Sequence, residues 1–355
     1  RYADAGRQFR QSGFPDIADE ILNRGLISPA AKRTPLETGQ ISLQLAMTKE
    51  ATGDKKSAFQ LYLQATNTLH DRYGGESLEQ LYAADKFAVF TSRLGSPASS
   101  ANRASGIYEI ARRVLGEDHP ETWKFANNYA DMLREIGASA QAIPLDEFVL
   151  AKRIKAYGPN HLNVLVSANN MGQTYLNLGR YDEARKSFQQ TMEIADALHD
   201  ESNVKQGAGW LLATNLIGGL VKMDATHAGA MEAVAADEQY SDILRFKAAK
   251  LAAGWFAQKN ETTKAISILN DATKLAQQNF SVVHPLTFDL RLAIAETKAR
   301  EKPSEATEDY AKLDMDMQDW MARDIGDTGN LLMAEAKRAL SDDFLFSYAA
   351  FALAN

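Results

Sequence analysis

A glycine recurs at 42-residue intervals in this chain, at Gly53, Gly95, Gly137 and Gly179. A second series, Gly74, Gly116 and Gly158, follows the first three by 21 residues, and Asp200 stands where its next member would fall. A fixed period of this size marks a stacked-repeat architecture, in which each unit buries its apolar face against its neighbours. Such a chain grows by addition, so 355 residues need no break between separate cores. The search for function then moves from an enclosed pocket to an extended surface.

The repeating unit is legible from Gly158, where GPNHLNVLVSANNMGQTYLNLG is followed by RYDEARKSFQQTMEIADALH. Each half carries apolar residues at the i, i+3, i+4, i+7 spacing of an amphipathic helix. The first half presents Leu165, Ala168, Met171, Gly172 and Tyr175, and the second Tyr181, Ala184, Phe188, Met192 and Ala195. Each laddered glycine is read as a helix stop, because glycine enters the left-handed conformation without a steric penalty. Pro120 fits a first helical position, with Asp118 and Asn160 as expected N-terminal caps. Gly172 falls mid-helix, where glycine costs about 1 kcal/mol relative to alanine; close approach of a neighbouring helix is the expected compensation.

The pattern Gly172, Tyr175, Gly179, Tyr181, Ala184, Phe188 resembles the tetratricopeptide repeat. The long period and the phrase Gly116–His119–Pro120 are similar to its kinesin-light-chain type. The resemblance implies an all-α, right-handed superhelical solenoid of about eight helix hairpins plus C-terminal helices. Units are expected near 1–31, 32–73, 74–115, 116–157, 158–199, 200–240, 241–281 and 282–315, with a helical extension over 316–355. Regularity weakens after residue 200, where Asn260 takes the turn glycine's place and His284–Pro285 restarts a unit. The connecting region is also similar to bacterial proteins in which such repeats precede a caspase-like CHAT protease domain.

Composition narrows the chemistry. The chain has no cysteine, which excludes disulfides, thiolate metal ligands and thiol nucleophiles. A net charge of −7 with scattered basic residues argues against nucleic acid, and no apolar run reaches the length of a membrane span. His119, His161 and His284 share one repeat position, so stacking sets them roughly 10 Å apart, too far for one ion; capping and turn packing are expected of them. No serine elbow, His–Glu helix pair or phosphate loop is present. The expectation is a chain without catalytic residues, cofactor or metal. The cytoplasm is the expected compartment, with periplasm and secretion left open.

The candidate binding residues come from the repeat register. Asn127–Asn128 and Asn169–Asn170 are one period apart, mid-way along first helices, which the resemblance places on a concave face. A carboxamide offers two donors and two acceptors, so it pairs with an extended peptide backbone whatever its side chains. Asp85 and Lys86 hold the same places one repeat earlier, and one turn on stand Asp131, Gln173 and Asn215. The four tryptophans lie on apolar stripes and are expected in the core. Phe344, Phe346, Tyr348 and Phe351 form an aromatic run that is a candidate interface for self-association or a further C-terminal domain.

These residues lead to a non-catalytic protein-interaction scaffold that holds a polypeptide in its concave groove. One alternative is the sensor part of a longer protein with a downstream CHAT protease domain, and another is a structural self-assembly module.

Overall fold

The computed structural model describes residues 1–28 and 34–325, with 321–325 as backbone alone. The described residues form sixteen α-helices and no strand. In chain order these are α1 Tyr2–Gln11, α2 Pro15–Ile27, α3 Pro35–Ala51, α4 Lys55–Tyr73, α5 Leu78–Arg93, α6 Pro97–Val114, α7 Pro120–Glu135 and α8 Ser139–Tyr157. There follow α9 Leu162–Asn177, α10 Tyr181–Ala197, α11 Glu201–Ile217, α12 Ala225–Ala236, α13 Asp242–Gln258, α14 Thr262–Asn279, α15 Pro285–Ala299 and α16 Pro303–Ile325. Packing divides the chain into two compact units: Arg1–Ser92 with Ser100–Asn128, and Arg93–Ser99 with Tyr129 onward. The aromatic run of Phe344, Phe346, Tyr348 and Phe351 lies outside the described residues.

The two glycine series do different jobs. After α3 the Gly53 N–H donates to the Glu50 carbonyl and the Asp54 N–H to the Lys49 carbonyl, which is the paired bonding of a Schellman cap. The same pair of bonds recurs at Gly137 and Gly179, and Asn260 makes it with a φ of 62°. The second series is not left-handed helical: Gly158 has φ 80° and ψ 166°, a region open essentially to glycine alone. An added Cβ at Gly158 would meet nothing within 4 Å, so its constraint is purely one of backbone. Gly158→Ala is expected to destabilise the protein by about 1–3 kcal/mol, and Asn260→Gly by none, both read from urea unfolding.

The missing member of the second series has a structural cause. His199 takes the positive φ (54°) and the Asp200 N–H bonds the Ala195 carbonyl, so α10 ends in a Schellman turn instead of an extended glycine link. Asp200 then caps α11 by accepting from the Asn203 N–H at 3.0 Å. This tighter link moves the register of the next unit.

Mid-helix Gly172 is where a neighbour comes close. A Cβ there would stand 2.6 Å from the Phe188 ring, which is itself fully buried and stacked on Trp210 with centroids 5.3 Å apart. Trp123, Trp210 and Trp320 are buried, whereas Trp255 is half-buried beside Lys259.

Helix α16 corrects the boundary expected at 315. Ala306, Tyr310, Leu313, Met317 and Trp320 keep one stripe at alternating spacings of four and three, and all five are buried against Phe288 and Ala295. One continuous helix therefore runs from Pro303 to Ile325. Trp320 Nε1 donates to the Gly95 carbonyl at 2.6 Å. A Cβ on Gly95 would lie 2.8 Å from a methyl of Val283, so the 93–99 turn seats closely on this second unit.

Candidate functional site

The repeated histidines are helix caps. Nδ1 of His119, His161 and His284 accepts the backbone N–H of Glu121, Asn163 and Leu286 at 3.2, 3.1 and 3.2 Å. His161 is the N-cap of α9 in place of the expected Asn160, and His119 Nδ1 accepts the corresponding bond at the start of α7. An imidazole nitrogen can satisfy an orphan amide there because the preceding backbone is extended. Thr122 and Thr287 complete the same turn, each bonding the carbonyl six residues back, at Gly116 and Ser281. No group of residues suited to hold a metal ion occurs among the described residues.

In the first unit, a cleft of about 290 Å³ opens on the first helices. Asp4 and Arg7 of α1, Leu43 and Gln44 of α3, Tyr82 of α5 and Glu121 of α7 line it. Beside Tyr82, Lys86 lies 5.3 Å over the ring and reaches Asp85 at 3.4 Å. Asp85 is 2% exposed, and Asn128 Nδ2 donates to both of its oxygens, at 2.9 and 2.8 Å. Burial raises the Asp85 carboxyl above the ordinary range and Glu121 adds to this, while Lys86 and Asn128 oppose it. Asn128 is thus a cross-helix clamp on a buried carboxylate. Asn127, beside it, is half-buried.

In the second unit, a polar network joins α7, α8 and α9. Arg134 is 8% exposed and donates from Nη1 to both oxygens of Asp146, at 3.1 and 2.9 Å, and to Thr174 Oγ1 at 2.9 Å. The Thr174 hydroxyl in turn donates a hydrogen bond to Asp146 Oδ2 at 2.6 Å. Arg134 Nη2 bonds Asp131 Oδ1, which also accepts from Asn170 Nδ2 at 3.3 Å. Surrounding protein pushes the Asp131 carboxyl up to about 6: burial leads, Arg134 holds it down, and Asp146 and Glu135 push it further. Its side chain nevertheless keeps 43% of its surface open to solvent.

The register places the remaining candidates. Asn169 and Gln173 are half-buried on α9, and neither side chain is hydrogen-bonded among the described residues. Asn215 does not share Gln173's place. The Leu220 N–H bonds the Asn215 carbonyl as the Arg180 N–H bonds that of Tyr175, so Asn215 stands at Tyr175's position, two residues off the expected register. The tight turn at His199 is the cause, and Asn215 Oδ1 is buried without a partner. Arg134, Asp146 and Thr174 are the residues the sequence reading passed over. Their only local signal is the Asp131–Arg134 spacing of three, which brings ion-pairing side chains together on a helix.

Residues 124–197 match the tetratricopeptide repeat family model. Among solved structures, the tetratricopeptide-like repeats of a putative kinesin light chain from Podosopora anserina are 20% identical, with a TM-score of 0.48. That match covers 55% of this chain and 94% of the other. BtubC from P. vanneervenii is also 20% identical, with a TM-score of 0.49 over 62% of this chain and 86% of its own. A Signal Transduction ATPase with Numerous Domains protein with a tetratricopeptide repeat sensor, from Pyrococcus horikoshii, is 12% identical with a TM-score of 0.49. It is covered over 44% of its length by 96% of this chain. No curated protein matches the chain. The described residues form an all-α repeat fold. No described helix is long and apolar enough to cross a membrane.

Proposed function

We propose that the chain is a non-catalytic scaffold that holds an extended polypeptide against its first helices. The observation that carries this reading is the cleft of the first unit, lined from α1, α3, α5 and α7, with Leu69 of α4 as the single second-helix contribution. Leu43, Leu69 and Tyr82 supply apolar area there, while Gln40, Gln44, Glu79 and Glu121 supply hydrogen-bonding groups. This mixture suits a peptide, whose backbone needs polar partners and whose side chains need apolar ones.

The amides take two roles in this reading. Asn128 and Asn170 set the spacing of first helices through Asp85 and Asp131. Lys86 and Asn127 are the contact residues proposed for a partner in the unit that holds the cleft, and Asn169 and Gln173, on α9, those proposed for a partner in the second unit. Peptides selected from a displayed random dodecapeptide library on the intact protein supply the probe. The double variant Asn169→Ala/Gln173→Ala is expected to bind them about tenfold more weakly, the loss of two modest hydrogen bonds. Its unfolding should be unchanged within about 0.5 kcal/mol. Affinities equal to those of the unaltered protein, for every selected peptide, would remove these residues from the contact.

A further inference from the structure

The stripe of α9 that carries Asn169 and Gln173 has a counterpart on α13. Gly179 and Asn260 end those two helices in the same pair of turn bonds, so counting back from each aligns the stripes. Lys247 then stands at the place of Val166, Lys250 at that of Asn169 and Gly254 at that of Gln173. Val166 is 40% exposed, and Lys247, Lys250 and Gly254 are all half-buried. Lys250 is committed to Asp289 of α15 at 2.6 Å. Lys247 has no such carboxylate. Its Nζ donates to Asn177 Oδ1, at the end of α9, over a long 3.4 Å. That amide is held in turn by its own Nδ2 bond to Ser139 Oγ at 3.3 Å. An ammonium has three donors, and the other two of Lys247 have no acceptor among the described residues.

Gly254 is an independent sign on the same stripe. A Cβ there would meet nothing within 4 Å, unlike Gly172, whose place is dictated by the Phe188 ring. Glycine weakens a helix interior, and where no neighbour demands it, it suits a group that arrives from outside and lies against bare backbone. We infer that Lys247 receives an aspartate or glutamate side chain of the bound polypeptide, whose backbone crosses α13 at Gly254. This rests on the scaffold reading above and names the chemistry of its partner. Lys250 and Asp289 satisfy each other, whereas Lys247 keeps unused donors, so an arriving acceptor is favoured and a charged one most of all. Burial lowers the Lys247 pKa from its ordinary value, with Asp289 opposing and Lys250 adding to the fall. A partner carboxylate would restore the ammonium form. Lys247 and Gly254 are seven residues apart on one helix face. That is about 10.5 Å along the axis, a distance an extended chain covers in about three residues.

The test uses the intact protein and those peptides of the same selection that lose affinity on Asn169→Ala/Gln173→Ala. They are synthesised with amidated C termini, so that only side chains carry carboxylates. The peptides are expected to share an aspartate or glutamate at one position. Lys247→Met, which keeps the length and removes the charge, should weaken their binding by about tenfold or more, and Lys247→Arg should restore part of it. Replacing the shared acid by its amide should produce the same loss, with no further loss on Lys247→Met. Gly254→Ala should raise the urea midpoint, because alanine is the better helix former, and yet weaken binding. Unchanged binding by Gly254→Ala would overturn the crossing at α13. Peptides that depend on Asn169 and Gln173 but bind Lys247→Met unchanged would overturn this inference and leave the scaffold reading intact. A selection in which no peptide depends on Asn169 and Gln173 would remove the second-unit contact and this inference with it. One that enriches no peptide at all would overturn the scaffold reading as well.

Discussion

Asp146→Ala is expected to destabilise the second unit by about 3 kcal/mol, the lower end of the range for breaking a buried ion pair. The loss arises because Arg134, 8% exposed, would keep its charge but lose the carboxylate whose two oxygens accept from Nη1, leaving that nitrogen only Thr174 Oγ1. Asp131 remains on Nη2, which is why the effect should stay at the lower end. Thr174 would also lose the acceptor for its hydroxyl. Replacing the pair together, as Arg134→Met with Asp146→Leu, should recover most of the loss, since well-packed apolar groups often substitute for a buried pair at little cost. Urea unfolding followed by circular dichroism measures both. If the single variant unfolds like the unaltered protein, Arg134 is not committed to Asp146 as described.

Trp320→Ala should cost about 3–5 kcal/mol, the usual range for emptying a large aromatic site. Trp320 is 4% exposed and lies edge-on to Phe288 at 5.8 Å. Trp320→Phe separates two contributions, because it keeps most of the ring packing and removes only the Nε1 bond to the Gly95 carbonyl. Its cost should be nearer 1 kcal/mol. Equal, small effects of the two substitutions would mean that α16 is not packed at Trp320, and that the repeat stack ends earlier in the chain.

The sequence carried the hairpin architecture because glycine and asparagine are needed wherever the backbone turns left-handed. Gly53, Gly137, Gly179 and Asn260 are examples, and each makes the same pair of turn bonds. The register failed where a residue without that signature took the strained conformation. His199 is such a residue, and the two-residue slip that misplaced Asn215 follows from it. The boundary near 315 failed for another reason: the turn signals end there, but the apolar spacing from Ala306 to Trp320 does not. At the site, the period picked out Asn128 and Asn170, which bond carboxylates at different places in the repeat. Their commitment to Asp85 and Asp131 was not readable from it, because it depends on which helices approach in space. The same holds for Asp146, which is an unremarkable position in sequence and a buried counter-ion in the fold.

Amide hydrogen exchange on the intact protein, with and without a saturating selected peptide, tests the scaffold account most directly. First-helix amides, above all those of α5, α7 and α9, are expected to gain protection, together with the residues that line the cleft from α1 and α3. Protection confined to the second helices, or to the turns between hairpins, would contradict it.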